Sequence, residues 1–350
     1  MGFTDVLGKN LSVAAVLALC LTGCAGAEKA GEHTAGVQAD EELVVYCPHP
    51  PGLINPIVAE FESRTGIDVR VCTGGTGKLL GDVATREEPL CDVFWGGSLT
   101  TVRARQELFE PYISINEPMV LEEFKNTEGN LTRFTDMPSV LMVNTRLLGD
   151  LTIEGYEDLL NPELKGKIAM CSPSSSSSAW EQLINMLYAM GEGEPEEGWD
   201  YVEEFIANLD GVLLESSSEV YQGVADGRFT VGLTFEEGAA HYVAEGQPVK
   251  IVYMEEGVIS RPDVVAIVKG TIHEAEAEQF VDFVTGLDAQ QTISSQLDRR
   301  TVRSDVEEPS YLPDKGQLHI IWDDEELSGQ KKALWLERFA GLYEKSVTAP

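Results

Sequence analysis

The segment KGKIAMCSPSSSSSAW, Lys165 to Trp180, joins a short apolar strand to a helix through a run of serines. Ile168, Ala169 and Met170 form the strand, and Pro173 with Ser174, Ser175, Ser176, Ser177 and Ser178 forms the turn. Beyond it Trp180, Leu183, Ile184, Leu187 and Tyr188 recur at helical spacing, which gives the helix one apolar face. Strand, polar turn and amphipathic helix together make the building unit of an α/β fold. The first N–H groups of a helix have no partner within it, and serine is a preferred cap. Hydroxyls at the positive end of a helix dipole suit an anion, phosphate above all. The plainer reading of the same residues is a flexible loop with one capping serine.

Working outward, the same unit recurs. Leu43 to Cys47 reads as a strand that ends in Pro48-His49-Pro50-Pro51-Gly52, and Ile57, Val58 and Phe61 follow at helical spacing. Ile67 to Cys72 is a second strand, leading to Thr73-Gly74-Gly75-Thr76-Gly77-Lys78 and a helix. Cys91 to Trp95 is a third, leading to Gly96-Gly97-Ser98. This is the rhythm of a parallel sheet, whose ligands gather at the carboxyl ends of the strands. The glycine-rich turn is not a P-loop, because Cys72 and Leu79 stand where that motif needs Gly and Ser or Thr. Its glycines still let the backbone approach a ligand, and Thr73 and Thr76 add hydroxyls. A turn with no ligand, and a packing role for His49, are the plainer alternatives.

The middle of the chain reads as a second α/β unit. Ser139 to Asn144 is a strand, Gly155 to Leu164 a short helical segment and Tyr201 to Leu209 a helix. Ser216-Ser217-Ser218 precede another helix, and the strand Phe229 to Thr234 ends in Phe235-Glu236-Glu237-Gly238. Glu236 and Glu237 can accept hydrogen bonds from hydroxyl or amino groups there, or simply pair with the first turn of a helix. From Gly257 the chain is expected to return to the first unit, with a strand Val264 to Val268 and helices Ala275 to Phe283 and Asp288 to Gln296. Arg299, Arg300 and Arg303 form a basic patch that either neutralises an anionic ligand or lies solvated among acids. A last helix, Lys331 to Lys345, carries Leu336, Phe339 and Tyr343 on one face.

The N-terminus speaks for export. Lys9 precedes an apolar run, Leu11 to Leu21, too short for a permanent span, and Leu21-Thr22-Gly23-Cys24 resembles the bacterial lipobox. Residues 1–23 are read as a lipoprotein signal peptide, Cys24 as the lipidated residue and 24–42 as a polar tether. The expected location is the outer face of the cell membrane, or the periplasmic side in a diderm.

Composition narrows the classes. The chain carries 59 acidic against 25 basic residues, a formal charge of −34. Such a surface repels nucleic acid and anionic headgroups, so neither is an expected partner, and the lipid is the only expected membrane contact. An anion must then be held by local, dehydrated hydrogen bonds. Cys47, Cys72, Cys91 and Cys171 contain no C-x-x-C pair for zinc, though Cys47 and Cys72 end strands that could be neighbours and so could form a disulfide.

The segments VVYCPHP, TGGTGKLL, FWGGS, KGKIA with SPSSSSSAW, and VADGRFTVGLTFEEGAA, together with the lipobox, resemble the family 1 extracellular solute-binding proteins of ABC importers. The resemblance covers about Leu43 to Tyr343 and points to the branch of ferric-iron and hexose-phosphate binders. It implies a type II periplasmic-binding fold, two lobes each with a central mixed sheet flanked by helices, and a ligand cleft between them. Lobe 1 is expected from 43–136 and 262–300, and lobe 2 from 137–261 and 301–350, with crossings near Met137, Pro262 and Thr301. It also implies an ABC permease as partner, and a monomer is expected. Iron binders of this branch use adjacent tyrosines, whereas this chain has Phe235-Glu236-Glu237 in that region and no Tyr-Tyr pair. The expected ligand is therefore a small phosphorylated organic anion, hexose phosphate before all, with ferric iron, an aminophosphonate or a polyamine as alternatives. The expected ligand set is His49, Thr73, Gly75, Thr76, Gly97, Ser98, Ser139, Ser174, Ser175, Ser176, Ser177, Glu236 and Glu237, with no metal and no cofactor. A secreted phosphatase-like enzyme is the opposing class, but the five histidines form no H-x-H or H-E-x-x-H and no G-x-S-x-G is present.

Overall fold

The computed structural model describes residues 42–85 and 90–348. Cys24 and the expected tether lie outside the described residues except for Glu42, which opens the first strand. In chain order the elements begin with β1 (Glu42–Cys47), α1 (Pro51–Thr65), β2 (Asp68–Thr73), α2 (Thr76–Ala84), β3 (Val93–Ser98) and α3 (Leu99–Arg103). There follow β4 (Thr132–Asn144), β5 (Ile168–Ala169), α4 (Ser177–Met190), α5 (Trp199–Leu209) and α6 (Ser217–Ala225). The rest are β6 (Val231–Phe235), α7 (Glu236–Ala244), β7 (Val249–Val252), β8 (Ser260–Ile267), α8 (Glu274–Val284), α9 (Leu287–Gln296), β9 (Arg300–Thr301) and α10 (Glu325–Thr348).

In the first lobe β1 lies parallel to β2 and β3, and β3 pairs antiparallel with β8. Successive residues alternate between two cores. Val45, Val93 and Trp95 pack with Phe61 and Phe280 on one face, while Tyr46 and Phe94 pack with Leu80 and Val102 on the other. A sheet buried on both faces explains why these strands read as near-continuous apolar runs. The second lobe repeats the scheme. Leu141 and Val143 of β4 face Trp180, Phe205 and Trp335, while Val140 and Met142 face Val220, Val224 and Ala239. The last helix extends beyond its expected bounds and buries Trp335 and Phe339 in this lobe.

One strand joins the lobes. β4 is 13 residues long. Its first half pairs with β8 through Thr132↔Val265 and Asp136↔Pro262, and its second half with β6 through Ser139↔Phe235 to Val143↔Val231. β9 pairs with β4 at Thr135↔Thr301. Three chain segments therefore cross at the same level.

Several local readings change. The strand expected to open at Ser139 begins at Thr132, because Thr132, Arg133, Thr135 and Asp136 are polar yet buried. Gly155 to Leu164 yields only two short 3₁₀ turns, and β7 was not expected. The four cysteines in the described residues are free thiols. Cys72 pairs across with Tyr46, so Cys47 lies one position out of step and faces the opposite side of the sheet. Residues so placed cannot be bridged without moving backbone.

Candidate functional site

The strand ends of both lobes enclose a cavity of about 510 Å³. Helix N-termini surround it. From the first lobe come Pro50 and Pro51 ahead of α1, and Thr73 to Thr76 ahead of α2. Proline suits the start of α1, where its missing N–H is no loss. From the second lobe come Ser175 to Ser178 at the start of α4, and Glu215 to Ser218 at the start of α6.

The two serine runs are built alike. Ser176 caps α4 by accepting from the Ala179 N–H at 3.4 Å, and Ser216 caps α6 by accepting from the Glu219 N–H at 3.3 Å. Each cap also shares a hydrogen with the serine two places on, at 2.9 Å for Ser176 and Ser178 and 3.0 Å for Ser216 and Ser218. The capping role thus falls on Ser176 and Ser216. Ser175 is turned onto the Ser172 carbonyl at 3.1 Å, and Ser177 meets Thr76 of the other lobe at 3.2 Å.

The floor is a cluster of three buried side chains. Arg299 donates to Asp263 Oδ2 at 2.8 Å, to Thr135 Oγ1 at 2.9 Å and to Glu237 Oε2 at 2.9 Å, and its Nη2 lies 3.4 Å from His49 Nδ1. Burial, then the neighbouring Arg299 charge, push the His49 pKa well below the usual imidazole range, so the ring is neutral. Burial raises the Asp263 carboxyl to about 6 against the pull of Arg299. With Glu237 beside it, the floor carries one cation against two carboxylates.

Gly96 and Gly97 make this packing possible. At Gly96 (φ +121°) an added Cβ would stand 2.6 Å from His49 Nε2, and at Gly97 (φ +82°) 2.6 Å from Thr76 Cγ2. Gly96→Ala is expected to displace the imidazole and strain the backbone at a cost of roughly 1–3 kcal/mol. A lowered melting temperature together with weakened ligand binding in calorimetry checks this. Unchanged affinity would show that His49 does not contact the ligand.

Of the expected ligand set, His49, Thr73, Gly75, Thr76, Gly97, Ser175, Ser176 and Ser177 line the cavity. The others lie elsewhere. Ser98 is buried against Thr100 and Thr101, Ser139 pairs within the sheet, and Ser174 is exposed beside Ser172. Glu236 is held by Arg300 at 2.7 and 2.9 Å, and Glu237 lines an adjoining cavity of about 290 Å³. The lining also includes Ser216 to Ser218, Asp263 and Arg299. The second serine run was visible as a repeat of the first, but Asp263 carried no local signal. Among the described residues no three His, Cys, Asp or Glu side chains gather as ligands of a metal ion would.

Comparison with known proteins places this cleft in context. The family model described as bacterial extracellular solute-binding protein matches residues 89–325, more than half of the chain. The chain is 26% identical over 305 residues to iron uptake protein A1 of Synechocystis, covering 82% of this chain and 80% of that protein. It is 23% identical over 260 residues to a putative 2-aminoethylphosphonate-binding periplasmic protein of Salmonella typhimurium, covering 70% and 73%. The fold matches the periplasmic binding protein AfuA of Actinobacillus pleuropneumoniae, solved with exogenous fructose-6-phosphate bound. The TM-score is 0.79 at 24% identity, over 87% of this chain and 98% of that one.

Proposed function

Since the chain belongs to the bacterial extracellular solute-binding protein family, we propose that its cleft captures a small phosphorylated organic solute, hexose phosphate before all, for delivery to an ABC permease. It is an exported solute-binding protein of two-lobed type II periplasmic-binding fold and not an enzyme. The observation that carries the ligand reading is the pair of serine-led helix N-termini, α4 and α6, lining one cavity. A phosphoryl group presents acceptor oxygens that hydroxyls and first-turn N–H groups can saturate. A free sugar would leave those donors unpaired, at roughly 1–3 kcal/mol for each buried group. Calorimetry against glucose 6-phosphate, glucose, 2-aminoethylphosphonate and ferric citrate tests the proposal. Tight binding of the phosphate ester alone is expected. Equal affinity for glucose and its phosphate, or tight iron binding, would refute it.

The lobes are proposed to close on the ligand as a monomer, with lobe 1 from 43–136 and 262–300 and lobe 2 from 137–261 and 301–350. The Thr76–Ser177 contact and the Lys332 Nζ to Thr101 Oγ1 bond at 3.2 Å support a closed arrangement. Solution scattering should show compaction when glucose 6-phosphate is added, and an unchanged radius of gyration would count against the hinge.

The proposed tether is lipid on Cys24. Cys24→Ser is expected to abolish lipid labelling and leave unprocessed precursor or released protein. Retained label in that variant would end the idea.

A further inference from the structure

Outside the cleft cavity the two lobes meet through a chain of charged groups. Arg261 lies on β8 where that strand crosses between the lobes, opposite Met137 of β4, and is 4% exposed. Three carboxylates converge on it. Glu181 of α4 stands 3.3 Å from its Nε, Glu325 at the start of α10 stands 2.6 Å from its Nη1, and Asp323 just ahead of α10 pairs with its Nη2. Trp180 and Leu183 beside Glu181, and Trp335 and Phe339 further along α10, pack in the core of the second lobe. These acids therefore move with that lobe.

The first lobe supplies the remaining partners from α3, whose Leu99 and Val102 pack in its own core. Thr100 donates its hydroxyl hydrogen to Glu181 Oε1. Arg103 pairs with Glu325 Oε2 and, on its other side, with Glu128 at 2.6 Å, which also holds Arg133 at 2.6 Å. Thr101 accepts from Lys332 of α10 at 3.2 Å. Glu325 is thus shared, with one oxygen on Arg261 and the other on Arg103. None of these residues is among those lining the cleft cavity. Glu181 nevertheless stands one helical turn beyond Ser177, which does line it, so the set is fastened to the helix that carries the serine run.

Charge decides what this contact does. With α3 in place, Arg103 and Arg261 share the three acids. With α3 withdrawn, one guanidinium faces three carboxylates and Glu181 loses its hydroxyl donor. Ion pairs in water contribute little, and the Arg103 and Glu325 side chains are 31% and 33% exposed. The side chains of Arg261, Glu181 and Asp323 are only 4%, 7% and 0% exposed, so a partner lost there is felt strongly. We propose that Arg103, Arg261, Glu181 and Glu325 form a clasp that stabilises the closed arrangement from outside the cavity, and that it sets ligand affinity through closure and not through contact. The apparent Kd of a protein that binds in one conformation rises as the population of that conformation falls. The inference rests on the proposed closure of two lobes and makes no use of the chemistry of the ligand.

The test compares the full chain with Arg103→Gln, Glu325→Gln and the double variant, by solution scattering without ligand and by calorimetry and release kinetics with glucose 6-phosphate. Neither single change strands a buried charge, since Glu128 keeps Arg133 and Arg261 keeps Glu181 and Asp323. Each single variant is expected to have a larger ligand-free radius of gyration than the parent. Each is also expected to bind glucose 6-phosphate about tenfold more weakly, through faster release. The double variant should lose little more than either single one, because the two residues act on one contact. A role in local stability alone would lower the melting temperature and leave the radius at the parent value, and that result overturns the clasp. Affinity within about twofold of a parent that binds glucose 6-phosphate overturns it as well. Compaction of the parent by glucose 6-phosphate beside unchanged variants would remove the clasp and leave the closure reading standing. If the parent does not bind glucose 6-phosphate, the phosphate reading falls and the ligand-free radius alone decides the clasp. Should a charge variant fail to fold, Thr100→Val removes the hydroxyl on Glu181 without changing any charge. It is expected to expand the ligand-free protein in the same sense, and a radius equal to that of the parent overturns the proposal.

Discussion

Replacing Arg299 by methionine is expected to destabilise the protein by about 3–5 kcal/mol and to abolish ligand binding. The guanidinium is fully enclosed and is the partner of both Asp263 and Glu237. Removing it strands a carboxylate of 0% exposure without a counter-charge. A drop in melting temperature of roughly ten degrees would be ordinary for that loss. The pH dependence has a definite sign. The Asp263 pKa is raised to about 6 from its ordinary 3.8 by burial, even with Arg299 present. The native state therefore binds this proton more readily than the unfolded chain, and stability falls as pH rises from about 4 through 6. Without Arg299 the carboxyl moves higher still. The penalty should then be larger at pH 8, where a bare charge is buried, than at pH 5, where the group is neutral. Adding Asp263→Asn should recover part of the loss at pH 8. A penalty independent of pH, or no recovery in the double variant, would show that the pairing does not carry the effect.

Replacing Ser175, Ser177 and Ser217 together by alanine is expected to weaken glucose 6-phosphate binding by about a hundredfold while the fold stays intact. The variant spares Ser176 and Ser216, whose hydroxyls cap α4 and α6. Losing a cap costs about 1 kcal/mol of helix stability and would blur the result. A hydrogen bond to a charged group contributes about 1.5–3 kcal/mol, so two lost bonds amount to two or more decades in Kd. A melting temperature near that of the parent, with affinity down, supports the cradle. Affinity within about threefold of the parent would show that the backbone N–H groups alone hold the anion.

The strand-turn-helix units were legible because their signals are local. Apolar spacing in α4 and the turns after β1, β2 and β3 lie within a few residues of each other. The α4 serine run announced itself for the same reason. What was not legible depends on residues far apart in the chain. The basic patch left two readings open, a counter-charge for an anionic ligand or a solvated cluster, yet Arg299 and Arg300 are buried among carboxylates of the chain itself. Their partners stand 36, 62 and 64 positions away at Asp263, Glu237 and Glu236. Asp263 itself sits in the middle of β8, after Ser260, Arg261 and Pro262, where nothing nearby marks it as the partner of Arg299. Likewise Thr132 to Asp136 broke the hydrophobic pattern of β4, because Thr135 and Asp136 are satisfied by the crossing segments and not by solvent.

That crossing strand has a mechanical consequence. β4 is hydrogen-bonded into both sheets along one unbroken stretch of backbone. Tension applied between its ends would load two sets of ladder bonds in series, so the weaker sheet would yield first and the other would remain. Neither half of the molecule can be excised as a free-standing fragment, since a cut at Met137 would leave each half with a torn sheet edge. Circular permutants should tolerate new ends in the surface turns but not within this axle.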